Sequence, residues 1–530
     1  MKRFLTLALV GVAALGLGST AYANICATDV VPAATLLFPF VQYDYEAGDV
    51  GNDGDTTLFA ITNVSSEAAI VHITVWTDFS VAILDFNLTL TGYDVQTINI
   101  RDILRDGVLP NEDNGANIWE TNNWDLQPAP VPFDDGPYSS FNESWGGSLD
   151  GYFALNGLPV TQATAPALDC DPAVWESSPN NYAAFGNIPG ATLDIFEGYL
   201  KRSQDATKGY LDCAGDPVSF ENDPWFLTRS SGPVWMYVTA DVVGACNKDL
   251  PDGSGVNYFN QSATTGVQFD NVLIGDILYL NSGDNYSEAD NAVHVEAIAT
   301  SGFGPAINAE VGKGASFYLR YHNGAGPTYY DGREPLPTAW AFRYIVAPSA
   351  GAKTWIRAWK GSMAQSRIVD LYSSDLAAPI TGPNPAELWS DSCIPYTYYA
   401  WDEDENVNSV GPGLVPPWSG GPIVEPIPVP NLLPLETQEV DAEEFFLVGD
   451  PSEGAFGWML FIWPLSNWDS TNPADIDYDQ YQTWMGVKYA AFGQYTAGLS
   501  GAVMANYNCN PSQTLPLLGL QTGMIMIPVK

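Results

Sequence analysis

Apolar and polar positions alternate along much of this chain. Between Ile83 and Leu90, Leu84, Phe86, Leu88 and Leu90 are interleaved with Ile83, Asp85, Asn87 and Thr89, the period of a strand with one apolar and one wet face. Gly92-Tyr93-Asp94 supplies a turn, after which Ile98 and Ile100 continue the apolar face against Thr97 and Asn99. Upstream, Val71, Ile73 and Val75 alternate with His72, Thr74 and Trp76, and the polar run Asn63-Val64-Ser65-Ser66 separates them from Leu58-Phe59-Ala60-Ile61. Residues 56–104 therefore read as a four-stranded antiparallel meander, with Leu84, Phe86, Leu88 and Ile98 inside and Asp85, Asn87 and Thr97 outside.

The pattern then changes. Residues 111–230 are dense in Pro, Gly, Asn, Asp and Trp with weak periodicity, and read as a loop-rich insertion with one short helix over Ile188 to Arg202. Alternation returns at Val234 to Val243, and further strands are expected at Val272 to Leu280, Ala292 to Ala299, Ser316 to Tyr321, Ala339 to Val346, Thr354 to Trp359 and Trp458 to Trp463. A small-residue and aromatic segment runs from Trp484 to Tyr507. Eight prolines between 411 and 434 mark a stiff extended connector. The expected division is residues 24–110 as N-terminal β-sandwich strands, 111–230 as the insertion, 231–410 as a second β region, 411–434 as the connector and 435–530 as a C-terminal β segment. Many short strands with turns between them predict an all-β fold of antiparallel β-sandwich domains with long ordered loops.

The N-terminus adds a location. Lys2 and Arg3 precede an uncharged apolar run from Phe4 to Gly18, and Ala21-Tyr22-Ala23 places small residues at a cleavage position, so residues 1–23 read as a secretory signal peptide of bacterial style. The run is shorter than the roughly 20 residues of a spanning helix. No later stretch is long and apolar enough to span as a helix, and the expected compartment is extracellular, cell-surface or periplasmic. Six cysteines follow the signal, Cys26, Cys170, Cys213, Cys246, Cys393 and Cys509. An even count in an oxidising compartment predicts disulfides, whose connectivity stays open.

Charge narrows the partners. The chain carries 19 Lys+Arg against 62 Asp+Glu, and removal of Lys2 and Arg3 leaves 17 basic residues and a formal charge of −45. Such a surface repels nucleic acid and suits a medium rich in divalent cations. The acidity does not mean disorder, because 46% of residues are hydrophobic and 13% aromatic, enough for large cores. Eight of the 17 basic residues fall between 313 and 367, beside only Asp331 and Glu334. Arg320, Arg333, Arg343, Arg357 and Lys360 are read from this as a basic interaction face for an anionic partner, a second copy of the chain or an acidic polysaccharide. By strand phase, Arg357 shares a face with Trp355 and Trp359 while Lys360 falls on the opposite one.

Catalytic chemistry has few handles. The three histidines are His72, His294 and His322, and the first two sit within alternating strands, a structural setting. No nucleophile elbow, HExxH or P-loop occurs. Among so many acids, a carboxylate pair at glycosidase spacing is expected by chance. Hard-cation sites have better support. Asp49, Asn52, Asp53 and Asp55 surround flexible glycines without matching an EF-hand, since Ala60 stands where its closing Glu would be. Asp402 and Asp404, and Asp475, Asp477 and Asp479, are the other candidate calcium ligands. Among the aromatics, Trp340, Phe342 and Tyr344 share one strand face and read as core, while Trp119, Trp124 and Trp145 lie in loop-like sequence and suit exposed contacts.

The stretch from Leu58 to Leu104, the segment Asp331-Gly332-Arg333-Glu334-Pro335-Leu336-Pro337 and the residues around Phe456-Gly457-Trp458-Met459 resemble a family of secreted bacterial β-rich proteins. The resemblance implies an exported β-rich fold and carries over no catalytic residue. The functional expectation is a non-enzymatic extracellular or cell-surface structural protein, self-associating and calcium-stabilised. An extracellular polysaccharide-binding protein is the alternative and a secreted glycoside hydrolase the third reading.

Overall fold

The computed structural model describes residues 27, 30–46, 54–78, 80, 82–110, 190–201, 232–244, 251, 258, 266–281, 283, 286–297, 317–318, 333–334, 336–347, 351–361, 396–402, 407–410, 433, 435–445, 455–463, 482–491, 495–500 and 502–503. The fold is all-β and antiparallel. Sheet I takes its strands in the order β4 (Ala82–Leu90), β3 (Ala69–Thr77), β6 (Val234–Val243), β1 (Thr35–Tyr43) and β9 (Val293–Val295). Sheet II is β5 (Val95–Asn99), β2 (Asp55–Asn63), β7 (Leu273–Asn281) and β8 (Tyr286–Asn291). Sheet III is β13 (Val407–Val410), β12 (Thr397–Asp402), β15 (Ala455–Ile462), β10 (Ala339–Val346) and β18 (Ala502–Val503). Sheet IV is β14 (Thr437–Asp441), β11 (Ala352–Gly361), β16 (Gln482–Ala491) and β17 (Tyr495–Ser500). Two α-helices are described, α1 (Ile100–Asp106) and α2 (Gly190–Leu200), and one 3₁₀ helix, Ala442–Phe445.

The expected strands between 56 and 104 form, but not as a meander. β2 and β5 pair with each other in sheet II, while β3 and β4 pair in sheet I. The chain crosses between sheets after β2 and again after β4, and residues 234–295 return to complete both sheets. Leu84, Phe86, Leu88 and Ile98 are buried and Thr97 is exposed, as the alternation requires. Asn87 differs: it is buried, 3.1 Å from His72 Nδ1. The reason is that every residue of β1, β3 and β6 is buried, so sheet I is covered on both faces and its polar positions have no water to meet. Ile100 does not extend β5. It begins α1, where Asn99 caps the helix by accepting from Arg101 N and Gly107 closes it in the left-handed region.

Sheets I and II close on each other through β1. The Phe38 and Phe59 rings lie 4.6 Å apart, and Tyr279 donates 2.9 Å to the Phe40 carbonyl. Pro39 lacks an N–H, and the register of β1 on β6 shifts between Phe38 and Val41, a bulge that accommodates it. Sheets III and IV face each other from Trp340, whose Nε1 donates 3.0 Å to Thr483 Oγ1. Trp340, Phe342 and Tyr344 are core, as their phase predicts. A single continuous hydrophobic core spans all four sheets. The two sandwiches meet where Thr437 Oγ1 donates 2.7 Å to the Pro39 carbonyl, Glu436 N donates 2.8 Å to the Asp78 carbonyl, and the rings of Tyr237 and Trp359 meet at 5.8 Å.

Gly457 in β15 shows how closely sheet III is built. A Cβ there would run into the Trp401 carbonyl and lie 2.7 Å from the Tyr344 ring. Gly457→Ala is expected to lower stability by at least about 1–3 kcal/mol, read as a lower urea midpoint, whereas Gly198→Ala, with open space around its Cβ, should leave it in place.

Candidate functional site

Three of the five residues read as a basic face lie inside the fold. Arg333 is 0% exposed, Arg357 2% and Lys360 1%. Arg343 is exposed, and Arg320 lies outside the described residues. The burial of these three has a physical cause: Arg357 and Lys360 sit on β11 between the cores and Arg333 in a bridge with Ala297, and each has an internal acid near it, Asp241 for Arg333, Glu288 and Glu439 for Arg357 and Glu436 for Lys360.

Arg333 closes a polar cluster on the outer face of sheet I. Thr35, His72 and Asp241 are cross-strand neighbours there. Asp241 accepts from Tyr258 and Tyr318 at 2.5 Å each and from Thr35 Oγ1, and Arg333 Nε stands 3.4 Å from its Oδ1 and donates to Thr35 Oγ1. Burial first, and the Asp241 carboxylate second, raise both tyrosine hydroxyls well above their ordinary range. They stay protonated and serve as donors. The Asp-Gly-Arg-Glu segment singled out in the sequence thus supplies the counter-ion of a buried aspartate.

Arg357 occupies the junction of the sandwiches. It donates 2.7 Å to Glu288 Oε1 from β8 and 2.8 Å to Glu439 Oε2 from β14. Its guanidinium carbon lies 4.1 Å from the Tyr279 ring centre and 4.8 Å from that of Phe40. Burial works against its charge, but Glu288 and Glu439 outweigh this and hold it firmly cationic. Lys488 joins from β16, 3.8 Å from Glu439 Oε1. Lys360 faces the other way, into the core between sheets III and IV, with its ammonium donating to the Leu433 carbonyl.

Of the candidate cation ligands, Asp55 begins β2, accepts 3.1 Å from Asn281 and has its carboxyl pushed up by burial, with Lys488 opposing. Asp402 ends β12, half-buried, and together with burial helps push the Tyr344 hydroxyl up to about 12. No cluster of three or more His, Cys, Asp or Glu suited to a metal occurs among the described residues. Asp49, Asn52, Asp53, Asp404, Asp475, Asp477 and Asp479 lie outside them, as do Cys26, Cys170, Cys213, Cys246, Cys393, Cys509, Trp119, Trp124, Trp145 and the signal segment. His72 and His294 are both buried; His294 Nε2 accepts 3.1 Å from Gly275 N.

One arrangement, half-buried at Trp401 and Trp458, buried at Tyr399 and exposed only at Arg343 and Phe456, is not among the expected sites. On the outer face of sheet III, Arg343, Trp458 and Trp401 form a cross-strand row. The two indoles stack at 3.9 Å and 10°, and Tyr399 stacks on Trp401 at 5.6 Å. Phe456, 43% exposed, extends the face beside half-buried Ile345. The signal available in the sequence was Tyr399-x-Trp401 and Phe456-x-Trp458, two aromatic pairs at strand spacing.

No family model and no curated protein matches the chain. Among solved structures, one similarity is to a Streptomyces avermitilis α-L-rhamnosidase complexed with L-rhamnose, at 8% identity and a TM-score of 0.15, over 90% of this chain and 27% of that one. A superposition this poor carries no argument about fold or activity.

Two measurements test the electrostatics. Arg357→Ala strands Glu288 and Glu439 and should cost about 3–5 kcal/mol in urea unfolding, against less than about 0.5 kcal/mol for Arg343→Ala on the surface. Burial lowers the His294 pKa below its ordinary value, so the unfolded chain takes up a proton that the folded one refuses. Its contribution to stability is therefore present above pH ~6.5 and is lost as pH falls below that. His294→Gln should flatten the decline in unfolding midpoint between pH 7 and 5 relative to the unaltered chain.

Proposed function

We propose that this chain is an exported, non-enzymatic β-sandwich protein that binds an acidic polysaccharide of the extracellular or cell-surface environment through the outer face of sheet III. The observation that carries the reading is the Arg343–Trp458–Trp401 row with Tyr399 and Phe456 beside it. The half-buried, mutually stacked indoles and the exposed Phe456 ring give a rigid apolar surface against which a sugar ring can pack at small conformational cost. Arg343, exposed beside Trp458, offers a planar donor fork to a sugar carboxylate or sulfate. The exported location rests on residues 1–23.

Structural self-association is the second reading, on a different footing from charge. With Arg333, Arg357 and Lys360 inside, head-to-tail pairing of basic and acidic faces loses its basic side. The observation that favours association is β5, which pairs only with β2 among the described strands and carries Val95 at 53% exposure next to Tyr93 at 73%. An open edge of this kind can add a strand from a second copy. Calcium remains part of either proposal as a stabiliser of the acidic loops.

Affinity electrophoresis in gels containing uronate-rich, sulfated or neutral polysaccharide tests the first reading. The unaltered chain should be retarded most by an acidic polymer. Trp401→Ala and Trp458→Ala should each weaken retardation by about thirty-fold, roughly 2 kcal/mol, and Arg343→Ala should remove the preference for acidic over neutral polymer. Unchanged mobility in every gel, with dimers or filaments in sedimentation that Val95→Lys disperses, would favour the second.

A further inference from the structure

Lys360 and Glu436 form a cross-strand pair in the interior of the second sandwich. The backbone N–H of Lys360 donates 2.8 Å to the Glu436 carbonyl, continuing the β11–β14 ladder one step past Trp359 and Thr437. Cross-strand neighbours of this type have Cβ atoms about 4.5–5.5 Å apart on one face of the sheet. That face is the inner one: Ala358 and Ile356, in phase with Lys360, are 1% and 0% exposed, while Trp359 and Arg357, out of phase, point to the first sandwich. Lys360 is 1% exposed and Glu436 0%. Glu436 is held from its other side as well, because its own N–H donates 2.8 Å to the Asp78 carbonyl. The Lys360 ammonium is tethered by the Leu433 carbonyl. Both side chains are thus enclosed on the same face of the sheet, at neighbouring positions of adjacent segments.

We propose that Lys360 and Glu436 condense spontaneously into an intramolecular amide that cross-links β11 to the segment entering β14. Three features support this. Burial brings the Lys360 amine down to about 7, with Glu436 opposing, so a neutral, nucleophilic amine is accessible at ordinary pH. In a medium of low dielectric a proton can pass from the Lys360 ammonium to the neighbouring Glu436 carboxylate, giving the amine and carboxylic acid that the reaction needs. Fixed side chains on adjacent strands replace a bimolecular encounter by a unimolecular one, with effective molarities on the order of 10⁵ M or more. The balance is simple. Nζ attacks Cδ and the C–N bond forms. The C–O bond to the hydroxyl breaks, and that hydroxyl leaves as water with a proton from nitrogen. No oxidant, metal or cofactor enters. The product is neutral, so two buried ionisable groups are replaced by one uncharged amide, and it ties β11 covalently to the segment entering β14. The inference stands apart from the polysaccharide reading and survives its failure.

The test is the mass of the full mature chain, measured after complete reduction and alkylation so that cysteine chemistry does not enter. The expected value is about 18 Da below that of the sequence, one water being lost in the condensation just described. Proteolysis should yield a branched peptide joining Lys360 to Glu436, with fragment ions placing the link on those two side chains. Lys360→Arg and Glu436→Gln should each restore the full mass. If either variant fails to fold, the unaltered chain still decides the matter. Recovery of an unmodified Lys360 peptide in full yield, or a link from Lys360 to any other acid, overturns the proposal.

Discussion

Sheet I has no wet face, and most of the architecture follows from that constraint. Its inner face meets sheet II through Phe38, Phe40 and Phe59, as any sandwich would. Its outer face carries Thr35, His72, Thr74, Thr239 and Asp241, and is buried all the same. A buried carboxylate without partners would be intolerable. Asp241 is therefore surrounded by two tyrosine hydroxyls, a threonine and an arginine from four separate stretches of chain. Tyr258, Tyr318 and Arg333 are brought from far along the sequence to do this. Their convergence fixes where those stretches can lie, so the polar layer specifies the arrangement as much as the apolar layer stabilises it.

The same logic distributes charge through the molecule. The local excess of Lys and Arg between 313 and 367 looks like a surface when counted along the chain, yet Arg333 and Arg357 are each placed at buried acids, and Lys353 meets a half-buried one. Arg333 answers Asp241, Arg357 answers Glu288 and Glu439, and Lys353 answers Asp441 at 3.0 Å. In a chain with 19 Lys and Arg against 62 Asp and Glu, burying Arg333, Arg357 and Lys360 leaves few cations for the surface, and Arg343, exposed on the outer face of sheet III, is one of them.

Sequence pattern made some strands legible and hid others for definite reasons. β6 and β10 fall at the expected bounds because their alternation is unbroken, and the buried phases of β4 and β5 follow from Leu84, Phe86, Leu88 and Ile98. β1 was hidden because both its faces are buried, which erases alternation, and because Pro39 argues against a strand. β8 was hidden because Tyr-Ser-Glu-Ala-Asp-Asn is polar, Glu288 being there to meet Arg357. The meander was wrong because local pattern sets which residues form strands, while pairing partners depend on β6 and β7, far downstream. Ser316 to Tyr321 is described only at Phe317 and Tyr318, in a turn, and of Ala292 to Ala299 the described residues are 292–297, with β9 at Val293–Val295. Site chemistry was less legible than fold. Strand phase correctly separates Arg357 from Lys360, but with sheet IV covered on both sides each phase points into a core.

A protein built this way concentrates its stability at junctions rather than in separate domains. Arg357 lies on β11, yet its partners come from β8, β7 and β1 as well as β14, so removing it would loosen both sandwiches at once. One residue on from Trp359, the chain turns its next side chain, Lys360, into the other core, against the segment whose backbone also holds Asp78 of the first sandwich. β11 and the start of β14 are thus a spine touching every layer. Forces that pull the sandwiches apart would have to break aromatic contacts, buried ion pairs and backbone ladders together. These contacts are long-range in sequence, and interactions of that kind, where they are absent from the transition state, slow unfolding rather than speed folding.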